Sequence, residues 1–264
     1  MSIIEAIILG LIQGLTEFIP ISSSGHLVIA QTLFSGSSNH LFLEWINIGT
    51  LLALLVFFRK KIIAILVDVF HNKNYILARN IIITAVPAGI VGFVWADFIA
   101  ATPFFNSAVT VVFTLAIIGV VMIILEKLPK ASAVGSGDRL SAGRALIIGL
   151  AQVLALMPGV SRSGSTIITG RLMGLKPAEA AEYSFLASLP IMGGVTLKLL
   201  VSSSDRQYFI DNLAVLTLSN ICAFVAGIVA VGFLMRYLSN HSLAIFGWYR
   251  IALAAVLAIV LLIQ

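Results

Sequence analysis

The chain has 264 residues, of which 60% are hydrophobic and 10% are charged, and its formal net charge is +5. A soluble globular domain carries about 25% charged residues, so the composition excludes that class and predicts a single integral membrane domain over residues 1–264. The small positive charge argues against a nucleic-acid partner and is better explained by loop orientation in the membrane and by contact with anionic lipids.

The first half of the chain begins with a broken apolar segment. Residues 2–19 stop at Pro20, short of a bilayer crossing of about 20 helical residues, and a short helical stretch, 22–34, follows. A further stretch, 62–71, is amphipathic, and we expect it near the membrane surface. The full spans predicted in this half are 41–58, 80–98 and 107–125.

The second half repeats this plan. Residues 145–157 stop at Pro158, and a second short helical stretch, 163–174, follows. The full spans predicted here are 178–201, 213–235 and 247–263. A broken helix at membrane depth is tolerated where it lines a cavity enclosed by protein. We therefore predict an all-α polytopic membrane protein with about six transmembrane helices and two re-entrant helical hairpins.

The two broken segments are also alike in sequence. Residues 10–26 read GLIQGLTEFIPISSSGH, and residues 149–165 read GLAQVLALMPGVSRSGS. Three predicted spans separate them, and because three is odd, the hairpins must enter the membrane from opposite faces. This predicts inverted-topology repeats of approximately 1–125 and 143–264, a layout that places a binding site near the bilayer midplane.

The basic residues assign the two sides of the membrane. By the positive-inside rule, loops rich in lysine and arginine face the cytoplasm, whereas the loops near 99–106 and 202–211 face outward. Both ends of the sequence are then expected outside. The loops assigned to the cytoplasm carry Arg59, Lys60, Lys61, Lys73 and Arg79; Lys127, Lys130, Arg139 and Arg144; and Arg236 and Arg250.

The first hairpin carries the groups of an activated nucleophile. Glu17 ends the broken helix, Ser22, Ser23 and Ser24 form the turn, and His26 lies one helical turn beyond Ser23, on the same face. A serine hydroxyl, an imidazole within reach and a carboxylate to orient it form such a set. The alternative is a serine-rich helix cap with a hydrogen-bonded histidine.

The second hairpin carries the groups of an anion site. Arg162 lies among hydroxyl residues at the start of a helix, where unpaired N–H groups favour anions. Its planar guanidinium can hold phosphate through two hydrogen bonds. The alternative is an arginine that pairs with Glu17 or Glu182 to hold the fold. Because ionisable groups are costly at bilayer depth, we consider the following residues together: Glu17, His26, Glu44, Arg162, Arg171 and Glu182.

These motifs resemble a known family. The string from Gln13 to His26, and the string Pro158-Gly159-Val160-Ser161-Arg162-Ser163-Gly164-Ser165-Thr166, are similar to those of the undecaprenyl-diphosphate phosphatases of bacitracin-resistance type. The resemblance extends along essentially the whole chain and includes Tyr249-Arg250. It implies a bacterial inner-membrane enzyme that removes the terminal phosphate of undecaprenyl diphosphate, recycles the cell-wall lipid carrier and confers bacitracin resistance.

The resemblance also implies roles for individual residues. The catalytic residues expected from it are Ser23, His26 and Glu17. The phosphate-binding residues that it implies are Arg162, Ser161, Ser163 and Thr166. From the residues themselves we also expect Ser22, Ser24 and Gln13 to bind phosphate. The resemblance further implies activation by magnesium or calcium, with Glu17 as the metal ligand. Many family members have glutamate where this chain has Gln13, which leaves Glu17 to carry that role alone.

Two questions stay open at this point. The first is the nucleophile: either Ser23 attacks the phosphorus while His26 takes its proton, or a water molecule attacks directly. The function class also has an alternative, because inverted repeats around a midplane anion site are typical of secondary transporters, here a polyprenyl-phosphate flippase or an anion transporter. We expect a site that opens to the extracytoplasmic side, and the sequence leaves the oligomeric state undetermined.

Overall fold

A computed structural model describes residues 1–35, 39–128 and 134–263. Within these ranges all regular secondary structure is helical, with thirteen α-helices and three short 3₁₀ turns. Lys130, assigned above to a cytoplasmic loop, lies outside the described residues. The α-helices are α1 (Ile3–Phe18), α2 (Ser23–Ser35), α3 (His40–Phe57), α4 (Arg59–Phe70), α5 (Ile76–Val94), α6 (Ala96–Ala101), α7 (Ala108–Leu125), α8 (Ala142–Val153), α9 (Arg162–Leu172), α10 (Pro177–Val201), α11 (Ser203–Asp211), α12 (Leu213–Asn240) and α13 (Ala244–Ile263).

Six of the described helices are long and apolar enough to cross a membrane, which confirms the predicted all-α polytopic class. They are α3, α5, α7, α10, α12 and α13. The surface stretch 62–71 corresponds to α4, none of whose residues is buried. Helix α5, predicted at 80–98, lies four residues earlier at Ile76–Val94, and α12, predicted at 213–235, extends to Asn240. Arg79 was assigned to the loop, but it lies in the first turn of α5, where its guanidinium donates to the Asn80 amide oxygen.

The two broken segments form shorter helices. Helix α1 has 16 residues and is followed by α2 with 13, whereas α8 has 12 and is followed by α9 with 11. Helix α1 packs mainly against α12, and α8 packs mainly against α5. The first helix of each predicted repeat therefore lies against a long helix of the other repeat. The re-entrant path and the inverted orientation of the repeats stay predictions.

Glycines allow these contacts between the two repeats. A Cβ atom on Gly149 of α8 would lie 2.7 Å from the Thr84 carbonyl oxygen of α5. A Cβ on Gly10 of α1 would collide with the Ser219 carbonyl oxygen of α12, and one on Gly14 would lie 2.6 Å from the Ala226 Cβ. Since real Cβ atoms do not come this close, glycine sets the separation of these helices. The same contact holds the end of α1, which carries Gln13 and Glu17, in a fixed position.

Candidate active site

The two broken segments end in turns of the same local geometry. Ser22 and Ser161, which occupy equivalent positions in the repeats, have φ angles of 74° and 73°. Positive φ is uncommon for residues other than glycine. Each hydroxyl faces the helix that follows it and accepts a hydrogen bond from a glycine N–H, that of Gly25 at 3.4 Å or that of Gly164 at 3.1 Å. The same capped turn is therefore built twice, before α2 and before α9.

Arg250 of α13 joins the two turns. Its Nη1 donates to the Pro20 carbonyl oxygen at 3.1 Å, and its Nη2 donates to the carbonyl oxygens of Gly159 and, at 3.1 Å, Val160. The residue is fully buried. Its prediction as a cytoplasmic loop residue is wrong, because buried carbonyl groups of both turns need a donor and a guanidinium provides several. Of the two basic residues that assigned the third loop to the cytoplasm, only Arg236 therefore still supports that assignment.

Glu17 is the point at which the two turns meet chemically. Its Oε1 forms an ion pair with the Arg162 guanidinium from the second turn. Its Oε2 accepts from the Ser23 hydroxyl at 2.6 Å and from the Gln13 amide at 3.1 Å. The side chains of Glu17 and Arg162 are 11% and 21% exposed, so this cluster is largely buried but still accessible from the surface.

Two of the alternatives raised from the sequence bear on this ion pair. Pairing of Arg162 with Glu17 was one of them, and the structure shows it. A guanidinium, however, carries five N–H donors. The Nη2 group makes the contact with Glu17, which leaves donors of Arg162 for an anion. Structural pairing and anion binding are therefore compatible in this residue.

His26 lies apart from the Ser23–Glu17 contact. Its Nδ1 is 2.8 Å from the Ser22 carbonyl oxygen, and its Nε2 is 2.7 Å from the Tyr249 hydroxyl of α13. A carbonyl oxygen can only accept, so Nδ1 carries the hydrogen, and Nε2 of the neutral ring accepts from Tyr249. Both ring nitrogens thus have partners other than Ser23. In this structure the group that accepts the hydrogen of Ser23 is the Glu17 carboxylate.

The remaining predicted phosphate ligands fall into two groups. Ser24, whose hydroxyl lies 3.3 Å from that of Ser22, is exposed at the first turn. Ser161 and Ser163 lie together at the second turn, with hydroxyls 3.1 Å apart. The Thr166 hydroxyl lies deeper in α9, where it donates to a backbone carbonyl of its own helix or contacts the Ser184 hydroxyl at 2.5 Å. Thr166 is therefore placed to support the turn from behind.

The other ionisable residues in apolar segments have partners away from the turns. Glu182 pairs with Lys61 at 2.9 Å, and Glu44 lies 4.0 Å from Lys198. Both contacts are partly exposed, in keeping with a structural role. The Arg171 guanidinium lies 3.6 Å from Glu126, at the end of α7.

Three residues of this site were missed in the sequence. Asn47 of α3 accepts the Gln13 amide at 2.5 Å, Tyr249 binds His26, and Arg250 joins the turns. Asn47 and Arg250 each lie inside an apolar run, and a polar group at such a place is a signal in itself. Tyr249 gives a weaker signal, because tyrosine is common where a transmembrane helix meets the membrane surface. Its adjacency to a buried arginine was the available clue.

A resident divalent cation does not fit the residues present. The described residues include no cluster of three or more His, Cys, Asp or Glu side chains. Magnesium is commonly held by one or two carboxylates together with substrate phosphates. Both oxygens of Glu17 are already hydrogen-bonded, and the Arg162 guanidinium beside them would repel a cation.

Comparison with known proteins agrees with the sequence motifs. The family model described as "Bacitracin resistance protein BacA" matches residues 6–256. An undecaprenyl-diphosphatase from Rubrobacter xylanophilus is 34% identical over 100% of both chains. A protein of the same name from Clavibacter michiganensis is 38% identical over 99% of this chain and 97% of its own length. Another, from Pseudomonas syringae, is 38% identical over 94% of this chain and 90% of its own length. These matches over nearly the full length show that the chain belongs to the bacitracin resistance protein BacA family.

Proposed function

We propose that this chain is a membrane phosphatase that hydrolyses undecaprenyl diphosphate to undecaprenyl phosphate and inorganic phosphate. The names of its relatives support this reaction, and the family description supports a link to bacitracin resistance. The observation that carries the proposal is the Ser23–Glu17–Arg162 cluster, in which a serine hydroxyl donates to a carboxylate that an arginine also contacts. A hydroxyl, a proton acceptor and an anion-binding cation are the groups that phosphate transfer needs.

The diphosphate would bind where the two turns meet. Helices α2 and α9 both begin there, and the N–H groups at a helix start attract anions. Arg162 would turn its free donors, and then its Nη2 group, toward the phosphate oxygens. Phosphoryl transfer depends mainly on positioning and on neutralising charge, and Arg162 supplies both. The prenyl chain would stay in the bilayer.

Ser23 would then attack the terminal phosphorus. A bond forms between Ser23 Oγ and phosphorus, the bond to the bridging oxygen breaks, and undecaprenyl phosphate leaves. Glu17 takes the Ser23 proton, and it becomes a better acceptor once Arg162 has turned to the phosphate. This assigns to Glu17 the role that the sequence suggested for His26, because Glu17 is the group in contact with the hydroxyl.

Water would complete the reaction by hydrolysing the phosphoserine, releasing inorganic phosphate and restoring the Ser23 hydroxyl. His26 would receive the proton of this water at Nε2 through the Tyr249 hydroxyl, which donates to that nitrogen, while Glu17 returns its proton to Ser23 Oγ. No step of this reaction is assigned to a metal ion. We place the enzyme in the bacterial cytoplasmic membrane with the site open to the extracytoplasmic side, in line with the predicted topology.

Phosphate release from undecaprenyl diphosphate by purified protein in detergent tests the proposal. We expect release by the wild type and loss of at least about 100-fold in both Ser23→Ala and Arg162→Ala. The first variant lacks the nucleophile, and the second lacks a transition-state donor, whose removal alone costs this much. Ser188→Ala and Arg206→Ala are matched controls, because their side chains donate to the backbone carbonyls of Phe185 and Leu200, away from the two turns. No release by folded wild type would contradict the phosphatase function.

The same preparation separates the remaining alternatives. A phosphorylated Ser23 trapped by acid quench would support covalent catalysis, and full activity without it under single-turnover conditions would favour direct attack by water. Movement of a labelled polyprenyl phosphate across proteoliposome membranes without phosphate release, and independent of Ser23, would instead favour the transporter.

A further inference from the structure

We propose that an amide relay from Asn47 through Gln13 holds Glu17 in this chain, in place of a resident divalent cation. The inference deepens the proposed function and rests on it for its kinetic test. Its starting point is the contact between Gln13 and Asn47, whose amide groups lie 2.5 Å apart on α1 and α3.

The orientation of both amides follows from one backbone group. The Asn47 Nδ2 lies 2.9 Å from the Leu43 carbonyl oxygen, one turn earlier on α3. A carbonyl can only accept, so the amino group of Asn47 must face it, and Oδ1 must face Gln13. Gln13 therefore presents its own amino group to Asn47.

The Gln13 amino group then has both of its hydrogens engaged. One is donated to Asn47 Oδ1 at 2.5 Å and the other to Glu17 Oε2 at 3.1 Å. Gln13 is buried, with 1% of its surface exposed, so water cannot easily replace either contact. The chain Leu43–Asn47–Gln13–Glu17 therefore has a single consistent direction, with a hydrogen aimed at the carboxylate at its end.

A glutamate at position 13 would not satisfy this arrangement. Its ionised carboxylate would place an acceptor against Asn47 Oδ1 and a negative charge against Glu17. Rotation of the Asn47 amide would remove the first conflict only by giving up the bond to Leu43. The surroundings of position 13 are thus built for an amide and not for a second anionic metal ligand.

The relay performs the task that a cation would otherwise perform at Glu17. Three donor groups, from Arg162, Ser23 and Gln13, fix the two oxygens of this carboxylate without a metal. Asn47 touches neither substrate nor reacting atoms in this scheme and acts through Gln13. It is therefore a positioning residue.

Binding of Mn²⁺ alone to substrate-free protein tests the first part. Titration of detergent-purified wild type, followed by electron paramagnetic resonance of free Mn²⁺, should show no stoichiometric site that depends on Glu17. One tightly held Mn²⁺ per chain in wild type, lost in Glu17→Gln, would overturn the inference. This measurement needs no substrate, so it stands whether or not the chain proves to be a phosphatase.

A double-mutant cycle on kcat tests the second part. We expect Asn47→Leu and Gln13→Leu each to lower kcat about tenfold, as loss of supporting hydrogen bonds around a reactive group commonly does. The double variant should also be lowered about tenfold, because Asn47 acts through Gln13. A multiplicative loss of about 100-fold would show independent structural effects and overturn the role of Asn47.

Gln152→Leu is the matched control for this cycle. Gln152 holds the position equivalent to Gln13 in the second repeat, is equally buried, and donates to the Thr84 carbonyl oxygen. It contacts none of the site residues, so its kcat should stay within about twofold of wild type. A loss as large as that of Gln13→Leu would show that burial of the amide, and not the relay, sets the rate.

Discussion

The Nε2 atom of His26 and the hydroxyl of Tyr249 lie 2.7 Å apart although 223 positions separate them in the chain. Their rings are also nearly parallel, with an interplanar angle of 11°. The first hairpin and the last helix therefore meet at the proposed proton acceptor for water.

Tyr249→Phe should lower kcat about fivefold, since it removes one hydrogen bond, worth about 1 kcal/mol, and keeps the aromatic ring. Steady-state phosphate release measures the effect. Trp248→Phe is the control, because Trp248 is the exposed neighbour of Tyr249 on α13. Equal rates for wild type and Tyr249→Phe would exclude a contribution of the hydroxyl to turnover.

Arg250→Met should destabilise the protein more than any surface substitution. The change leaves three buried carbonyl groups in the two turns without their donor, and each such group costs about 1–3 kcal/mol. We expect the melting temperature in detergent to fall by at least about 5 °C, taking roughly 2 °C for each kcal/mol. Arg236→Met, near the end of α12, is the matched surface control. A melting curve identical to that of the wild type would show that the two turns are stable without the hydrogen bonds from Arg250.

Gly14→Ala should displace α1 from α12. The added methyl group would lie 2.6 Å from the Ala226 Cβ and 2.8 Å from the Gly227 nitrogen, so the helices must separate. Since α1 also carries Glu17, we expect a lower melting temperature together with a loss of phosphate release. Gly89→Ala is the control, because no atom lies within 4 Å of its added Cβ. Wild-type behaviour of Gly14→Ala would mean that the packing adapts without cost.

Single cysteines in a Cys222→Ala background test the inverted topology. The predicted orientation places Ser2 and Ser204 outside and Asn72 inside. A membrane-impermeant maleimide added to intact cells should therefore label Ser2→Cys and Ser204→Cys, and should label Asn72→Cys only after the membrane is broken. Labelling of Asn72→Cys in intact cells would reverse the orientation derived from the basic loops.

The long spans were predictable because about 20 consecutive apolar residues leave few alternatives to a transmembrane helix. The position of α5 was less accurate, because the charge of Arg79 was taken as the end of the apolar run although arginine is tolerated in the first turn. The helices in the loops predicted to face outward, α6 and α11, were not predicted, since their sequences contain no long apolar stretch.

The site was predictable as two sets of residues but not as one cluster. Glu17, Ser23 and Arg162 stand out because they interrupt apolar sequence or follow a proline. Their contacts, however, depend on how α1, α2 and α9 are placed relative to one another, which no local pattern encodes. The contact of His26 was equally unpredictable, because its partner Tyr249 looks in the sequence like an ordinary tyrosine at the membrane interface.

The position of Arg250 has a consequence for the biogenesis of the protein. Every residue proposed to bind phosphate precedes α13 in the chain, and so leaves the ribosome and enters the membrane earlier. Until that last helix is inserted, the carbonyl groups of the two turns lack their shared donor, and His26 lacks Tyr249. The two turns therefore reach their final hydrogen bonding only after α13 has entered the membrane, which makes completion of the site a late step of assembly.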